Sequence, residues 1–222
     1  MVLKNILKAT DIKLIVSLLD SLVVEEGIEA ASELRREAGT DRLANLVNKG
    51  EELRVCYTHP RVLAAIYHVL RSDIHLSSLN SRFALPGEGH QALHVDWHEP
   101  VQPGDYHVCN SIWLLDDFTK DNGATRVVPA SHKSYSIPKE SMPDPAKTHS
   151  EQKLLLGEAG TVVVFNSHVW HGGTINTTNR PRRAIHSYWS RRDDPQQTDQ
   201  NKWITDDTLA RLTPVERYLI DV

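Results

Sequence analysis

Apolar positions in the first seventy or so residues recur at helical spacing. In "ATDIKLIVSLLDSLVV", residues 9–24, Ile12, Ile15, Val16 and Leu19 fall at i, i+3, i+4 and i+7, with Thr10 as the expected N-cap. "IEAASELRREAG", residues 28–39, reads as a second helical piece ending on Gly39 as its C′ residue. "HPRVLAAIYHVLRS", residues 59–72, opens with Pro60 at the first helical position and carries Val62, Ile66, Val69 and Leu70 on one side.

After residue 72 the period changes. "IHLSSLNSRFAL", "HQALHVDW", "YHVCNSIWLLDDF", "ATRVVPAS", "TVVVFNSHVW" and "RRAIHSYWS" are short β-rich runs separated by Gly, Pro, Asn and Asp. "DNG" at 121–123 lies between two of them and carries the signature of a type I′ hairpin. Short strands without intervening helices predict an all-β core of sandwich or jelly-roll type behind an N-terminal helical layer. The polar, proline-containing stretch 133–152 reads as a surface loop or as a lid over a site. The run 191–202 reads as a linker to a last helical piece, "TDDTLARLTPVERYLI".

The organisation expected is one domain over 1–222: a helical layer to 72, a β core over 74–190 and a C-terminal tail from 191. A net charge of −4 and the absence of a basic cluster argue against nucleic acid and point to a small-molecule partner. Lysines 4, 8 and 13 and Asp20 break up the N-terminal apolar run, so neither a signal peptide nor a membrane span is expected. Cys56 and Cys109 are far apart and form no CxxC, which predicts reduced, buried thiols and a cytoplasmic setting. Oligomeric state is not legible.

"ALHVDWHEP" at 92–100 supplies the candidate chemistry. In an extended segment alternate side chains share a face, so His94 and Asp96 point the same way. A third candidate, His171, stands where "FNSHVWHGGTIN" runs out into glycines. Two imidazoles and a carboxylate make the facial triad of non-heme Fe(II) oxygenases, which leaves metal positions open for a co-substrate and dioxygen. HxD alone is common, and His98 or His168 enters rival schemes. Eleven residues beyond His171 (182 − 171) lies Arg182, inside a β-like run. A guanidinium there offers a bidentate clamp for a carboxylate, which suggests a keto-acid co-substrate.

"HVD" at 94–96, "WLLDDFTKDNGATRVVPASH" at 113–132 and "WHGGTINTTNRPRR" at 170–183 together resemble the phytanoyl-CoA dioxygenase-like Fe(II)/2-oxoglutarate oxygenases, over roughly residues 74–190. The resemblance implies a double-stranded β-helix, iron on His94, Asp96 and His171, and Arg182 on the distal carboxylate of 2-oxoglutarate. Arg180 and Arg183 compete with Arg182 on spacing but rank lower: Arg183 faces the other way in a strand, and Arg180 precedes a proline. Where the family often has Gln or Lys on the strand before HxD, this chain offers Asn80 and Arg82; Asn80 and Asn110 are carried as cofactor-pocket candidates. Related halogenases replace the carboxylate with a small residue, so Asp96 favours hydroxylation. Two rivals remain: a cupin-type metalloenzyme that does not use 2-oxoglutarate, and a non-catalytic metal- or ligand-binding relative.

Overall fold

The structure is a computed structural model that describes residues 1–31 and 40–222. Its strands are β1 (Val2–Leu3), β2 (Thr40–Asp41), β3 (Ile74–Ala84), β4 (Val108–Leu114), β5 (Thr125–Val127), β6 (Lys153–Leu154), β7 (Val162–Asn166), β8 (His171–Gly173) and β9 (Arg182–Arg191). Its helices are α1 (Ala9–Glu26), α2 (Val55–Thr58), α3 (Pro60–Leu70), α4 (Pro138–Ser141), α5 (Gln200–Trp203), α6 (Asp206–Arg211) and α7 (Pro214–Ile220). Six strands form one antiparallel sheet in the order β1-β7-β4-β9-β3-β2, and three form a second in the order β6-β5-β8.

The large sheet is buried on both faces, and alternation along its strands assigns each face. Cys109, Ser111 and Trp113 of β4, with Ile185, Ser187 and Trp189 of β9, lie on the face covered by the helical layer. There they join Ile15, Leu19, Leu53, Tyr57 and Ile66 in the main core. The serines in these strands have partners: Trp113 Nε1 donates to Ser187 Oγ at 3.0 Å, and Ser187 Oγ donates to the Cys56 carbonyl at 2.6 Å. A buried indole N–H thereby meets an acceptor, which its burial requires. Both cysteines are free and buried.

Helix α3 starts at Pro60 as its first residue, because proline lacks the N–H that has no partner there anyway. Helix α1 starts one residue before Thr10, with Lys8 at the cap and Asp11 accepting the Lys8 N–H at 3.3 Å, so Thr10 is inside the helix. The expected helix end at Gly39 lies outside the described residues. The N-terminal layer is also more than helical, since β1 and β2 supply both edges of the large sheet.

Three other expectations are corrected. "DNG" at 121–123 makes no hairpin: the chain crosses there from β4 in the large sheet to β5 in the small one, and Asn122 bridges to Asn176. Gly123 does have φ +78°, as a turn glycine can, but Asn122 does not share the positive φ that a type I′ turn needs, so the turn type is overturned with the pairing. "HQALHVDW" is not a regular strand; it is extended chain touching β8 through one bridge, His94 to His171. Loop 133–152 contains α4 and is tied down by Arg126, which donates to the carbonyls of Lys147, Pro145 and Ala146 and also to Gln91 O at 2.7 Å. The run 191–202 is likewise no plain linker: Gln196 Nε2 bonds Leu76 O, and the Thr198 N–H bonds Ser77 O, strapping it along β3.

Candidate active site

A cavity of about 220 Å³ opens between the two sheets. Its floor is the inner face of the large sheet: Asn80 and Arg82 on β3, Asn110 and Ile112 on β4, and Arg182, His186 and Tyr188 on β9. The opposite wall carries His94, Asp96, His171, Thr125 and Gln91.

A single bridge brings the triad together. His94 and His171 exchange both backbone hydrogen bonds, N–H to O at 2.9 Å each way. Residues paired in this way project side by side, and the two imidazole centroids stand 4.4 Å apart. Asp96, two residues on, is held by its N–H to Ser167 O at 2.9 Å. One carboxylate oxygen, Oδ1, lies 3.8 Å from His94 Nε2 and 3.4 Å from His171 Nε2. Ligand atoms of all three residues fall within 4.8 Å of one another.

The glycines after His171 follow from this closeness. A Cβ on Gly172 would stand 3.0 Å from the carbonyls of Gln91 and Ala92, and one on Gly173 would collide with the Gly89 carbonyl. Only glycine lets β8 approach the segment that leads into His94.

Both imidazoles are held by their Nδ1 atoms. His94 Nδ1 lies 2.9 Å from Ala92 O, and His171 Nδ1 lies 2.8 Å from Val169 O. With Nδ1–H donating to those carbonyls, each Nε2 lone pair faces the carboxylate. Burial alone would raise the Asp96 pKa, yet His171 and His94 hold it well below the usual carboxylate range. Burial would lower His171, and Asp96 reverses this to a net rise. The other carboxylate oxygen, Asp96 Oδ2, is buried with no hydrogen-bond partner. An anionic ligand set with an uncommitted buried oxygen fits a divalent cation.

Arg182 stands on the floor, 2 % exposed. Its Nη2 donates to Gly123 O at 2.7 Å, and its guanidinium lies 4.1 Å from the centre of the Phe118 ring. Nε is buried without a partner. Burial and then Arg82 push its pKa down to about 9, against the pull of Asp116. A buried guanidinium with an uncommitted N–H fits a carboxylate ligand. The competing arginines are elsewhere: Arg183 pairs with Asp20 and Asp116 on the other side of the strand, and Arg180 is exposed.

Asn110 lines the cavity with Oδ1 buried and without a partner. Asn80 lines it too, but its amide is engaged by the protein: Oδ1 accepts the Asn45 N–H at 3.2 Å, and Nδ2 donates to Ser78 Oγ at 3.0 Å. His98 is exposed beside Glu99. His168 accepts the His107 N–H at 3.1 Å and stands outside the triad. No residue of 133–152 lines the cavity. Trp113 and Trp189 are core, and Trp97 stacks on His107 at 4.6 Å.

Sequence reasoning passed over His186, Arg42 and Gln197. Alternation along β9 from Arg182 would have reached His186. Arg42 and Gln197 carried no local signal, because they enter through β2 pairing and the strap along β3.

Among curated proteins, Dioxygenase af480 of Aspergillus fumigatus is 33% identical over 133 residues, covering 57% of this chain and 40% of that protein. The chain spans about half the length of the curated relatives it matches. Among solved structures, HygX from Streptomyces hygroscopicus with nickel and 2-oxoglutarate bound aligns with a TM-score of 0.69 at 14% identity, over 88% of this chain and 84% of that one. EctD from S. alaskensis with 2-oxoglutarate and 5-hydroxyectoine aligns with a TM-score of 0.70 at 19% identity, over 86% and 71%. These likenesses give the jelly-roll fold. The sequence profile described as phytanoyl-CoA dioxygenase matches residues 2–184. Because that match runs through the whole triad and into the strand carrying Arg182, the chain belongs to the phytanoyl-CoA dioxygenase family.

Proposed function

We propose that the protein is an Fe(II)/2-oxoglutarate-dependent dioxygenase that hydroxylates a small-molecule substrate. One observation carries this reading: His94, Asp96 and His171 converge on the same cavity as a buried, cavity-facing Arg182 with an uncommitted Nε–H. A metalloenzyme without a keto acid leaves the cavity-facing N–H groups of this guanidinium no carboxylate to meet, which favours the oxygenase reading.

His94, Asp96 and His171 would hold the iron, and Arg182 would hold the distal carboxylate of 2-oxoglutarate, with Asn110 Oδ1 facing the same space. Bound together, iron and keto acid supply an oxidant by reducing dioxygen as 2-oxoglutarate is decarboxylated to succinate. The chain's own part is placement and exclusion. The Nδ1 bonds to Ala92 O and Val169 O keep both Nε2 atoms turned inward. Phe118 covers one face of Arg182 and keeps water off the clamp. Tyr188 donates its hydroxyl to Asp96 O at 2.8 Å and fixes the backbone of the acidic ligand.

Two buried free thiols accord with a cytoplasmic setting, and among the described residues no helix is long and apolar enough to cross a membrane. The test is turnover of 2-oxoglutarate to succinate with Fe(II) and dioxygen, alongside metal analysis of His171→Ala. Succinate from wild type and loss of iron from the variant are expected. A His171→Ala protein that keeps full iron content and activity would overturn the ligand set.

A further inference from the structure

The triad and Arg182 account for only part of the cavity. The rest of its floor runs along β9 and β3 toward the strap after β9, and two polar side chains there have no role so far. His186 lies four residues beyond Arg182 on the same face of β9, opposite Asn80 on β3 and Ile112 on β4. No hydrogen bond from a described residue reaches its ring. Burial, and then Arg82, Arg182 and Arg42, keep the imidazole neutral, its pKa pushed down to about 3. A neutral ring offers one donor and one acceptor.

Gln197 comes from the strap, beyond residue 184 where the family match ends. The strap is held firmly: Gln196 Nε2 donates to Leu76 O at 2.9 Å and to Ile220 O at 2.8 Å, and Asp194 pairs with His107 at 2.9 Å. The Gln197 N–H bonds Ser77 Oγ at 2.7 Å, and its Oε1 accepts from Ser78 Oγ at 2.6 Å. Gln197 is exposed at the cavity's rim, and with its carbonyl end fixed its Nε2 has no hydrogen-bond partner among the described residues.

The lining as a whole is polar. Among the described residues, sixteen line the cavity, and Ile112 is the only aliphatic one of them. The volume, about 220 Å³, lies below the roughly 300–1,000 Å³ usual for drug-sized ligands. An acyl chain would find almost no apolar wall here and would leave the polar groups without partners, which is costly.

Resting on the reading of the cavity as a 2-oxoglutarate site, we propose that His186 and Gln197 form the primary-substrate subsite. Its ligand is a small hydrophilic metabolite, the size of an amino acid or hydroxy acid, that offers both hydrogen-bond donors and acceptors. His186 and Gln197 set specificity, and they do so with residues the family match does not reach.

The experiment uses anaerobic protein loaded with Fe(II) and 2-oxoglutarate, screened by thermal melting against two panels. One panel holds free amino acids and hydroxy acids; the other holds fatty acids and acyl-CoA thioesters. Calorimetry then compares wild type, His186→Leu, His186→Gln and Gln197→Leu for the best ligand and, separately, for 2-oxoglutarate. A saturating ligand from the hydrophilic panel is expected, weakened about tenfold or more by His186→Leu, the cost of a lost hydrogen bond inside the cavity, and about threefold by Gln197→Leu at its exposed rim. His186→Gln, which keeps a donor and an acceptor, should retain most of the affinity, and all variants should bind 2-oxoglutarate within about twofold of wild type. The proposal is overturned if the hydrophilic panel yields no saturating ligand, if only the acyl panel saturates, or if the Leu variants bind the ligand like wild type. It is equally overturned if His186→Leu loses 2-oxoglutarate as well, since the imidazole would then belong to the cofactor pocket. Should wild type fail to bind 2-oxoglutarate, the proposed activity falls by itself, and the same panels on the Fe(II)-only protein decide the subsite.

Discussion

Replacing Arg182 by Lys keeps a positive charge on the floor and removes the planar donor fork. In the structure Nη2 is committed to Gly123 O at 2.7 Å, while Nε makes no bond to the protein. The arginine can therefore hold the backbone carbonyl and still present N–H groups to a carboxylate. A single ammonium at the end of a flexible stem has to share its donors between the two. The variant thus forfeits about one charge-assisted hydrogen bond, worth roughly 1.5–3 kcal/mol. That corresponds to 2-oxoglutarate affinity lower by about tenfold to a hundredfold. Iron content should stay normal, because His94, Asp96 and His171 are untouched. The assay is anaerobic calorimetry of 2-oxoglutarate on Fe(II)-loaded protein, with metal analysis of the same samples and Lys substitutions at 180 and 183 as controls. Arg183 is engaged by Asp20 and Asp116 away from the cavity, so its variant should bind like wild type. Unchanged 2-oxoglutarate binding by Arg182→Lys, or a loss confined to Arg180 or Arg183, would refute the placement of the clamp.

Three further outcomes are expected. On the proposed ligand set Asp96 would fill the position that a halide needs, so product mass spectra at high chloride should show oxygenation and no chlorinated species; a chloride-dependent chlorinated product would contradict the assignment. Burial, with His107 adding to it, pushes the His168 pKa down from the usual 6.5 to about 4. The unfolded chain therefore takes up a proton that the native state refuses, and stability falls as pH drops from about 6.5 to about 4, by up to roughly 3 kcal/mol. Melting curves across that range should flatten in His168→Gln, which can still accept the His107 N–H; an unchanged slope would remove His168 as the cause. Gly173→Ala forces a Cβ against the Gly89 carbonyl, an overpacking that should cost about 1–3 kcal/mol by denaturant titration and weaken metal retention with it; native-like stability would show that β8 can yield.

Several features of this chain were legible in its residues because they depend only on near neighbours. Pro60 suits the first position of a helix, and the apolar stripe beyond it marks the face that the structure buries. His94 and Asp96 share a direction because alternate residues of extended chain do. Arg182 and Arg183 part company for the same reason, one to the cavity and the other to Asp20 and Asp116. What the residues did not reveal depends on pairing between distant segments. Turn chemistry at 121–123 was right about Gly123 and wrong about a hairpin, since the strands on either side belong to different sheets. The run around His94 has strand composition but makes a single bridge, His94 to His171, because the β8 it runs against is only three residues long. Asn80 sits on the cavity floor with its amide already taken by Asn45 and Ser78, which no local rule could foresee. Gln197 reached the cavity through hydrogen bonds to Ser77 and Ser78, some 120 residues earlier in the chain. Local sequence determines which way a side chain points, through backbone periodicity. Only the closed sheets, which fix which distant segment lies opposite, decided what each side chain meets.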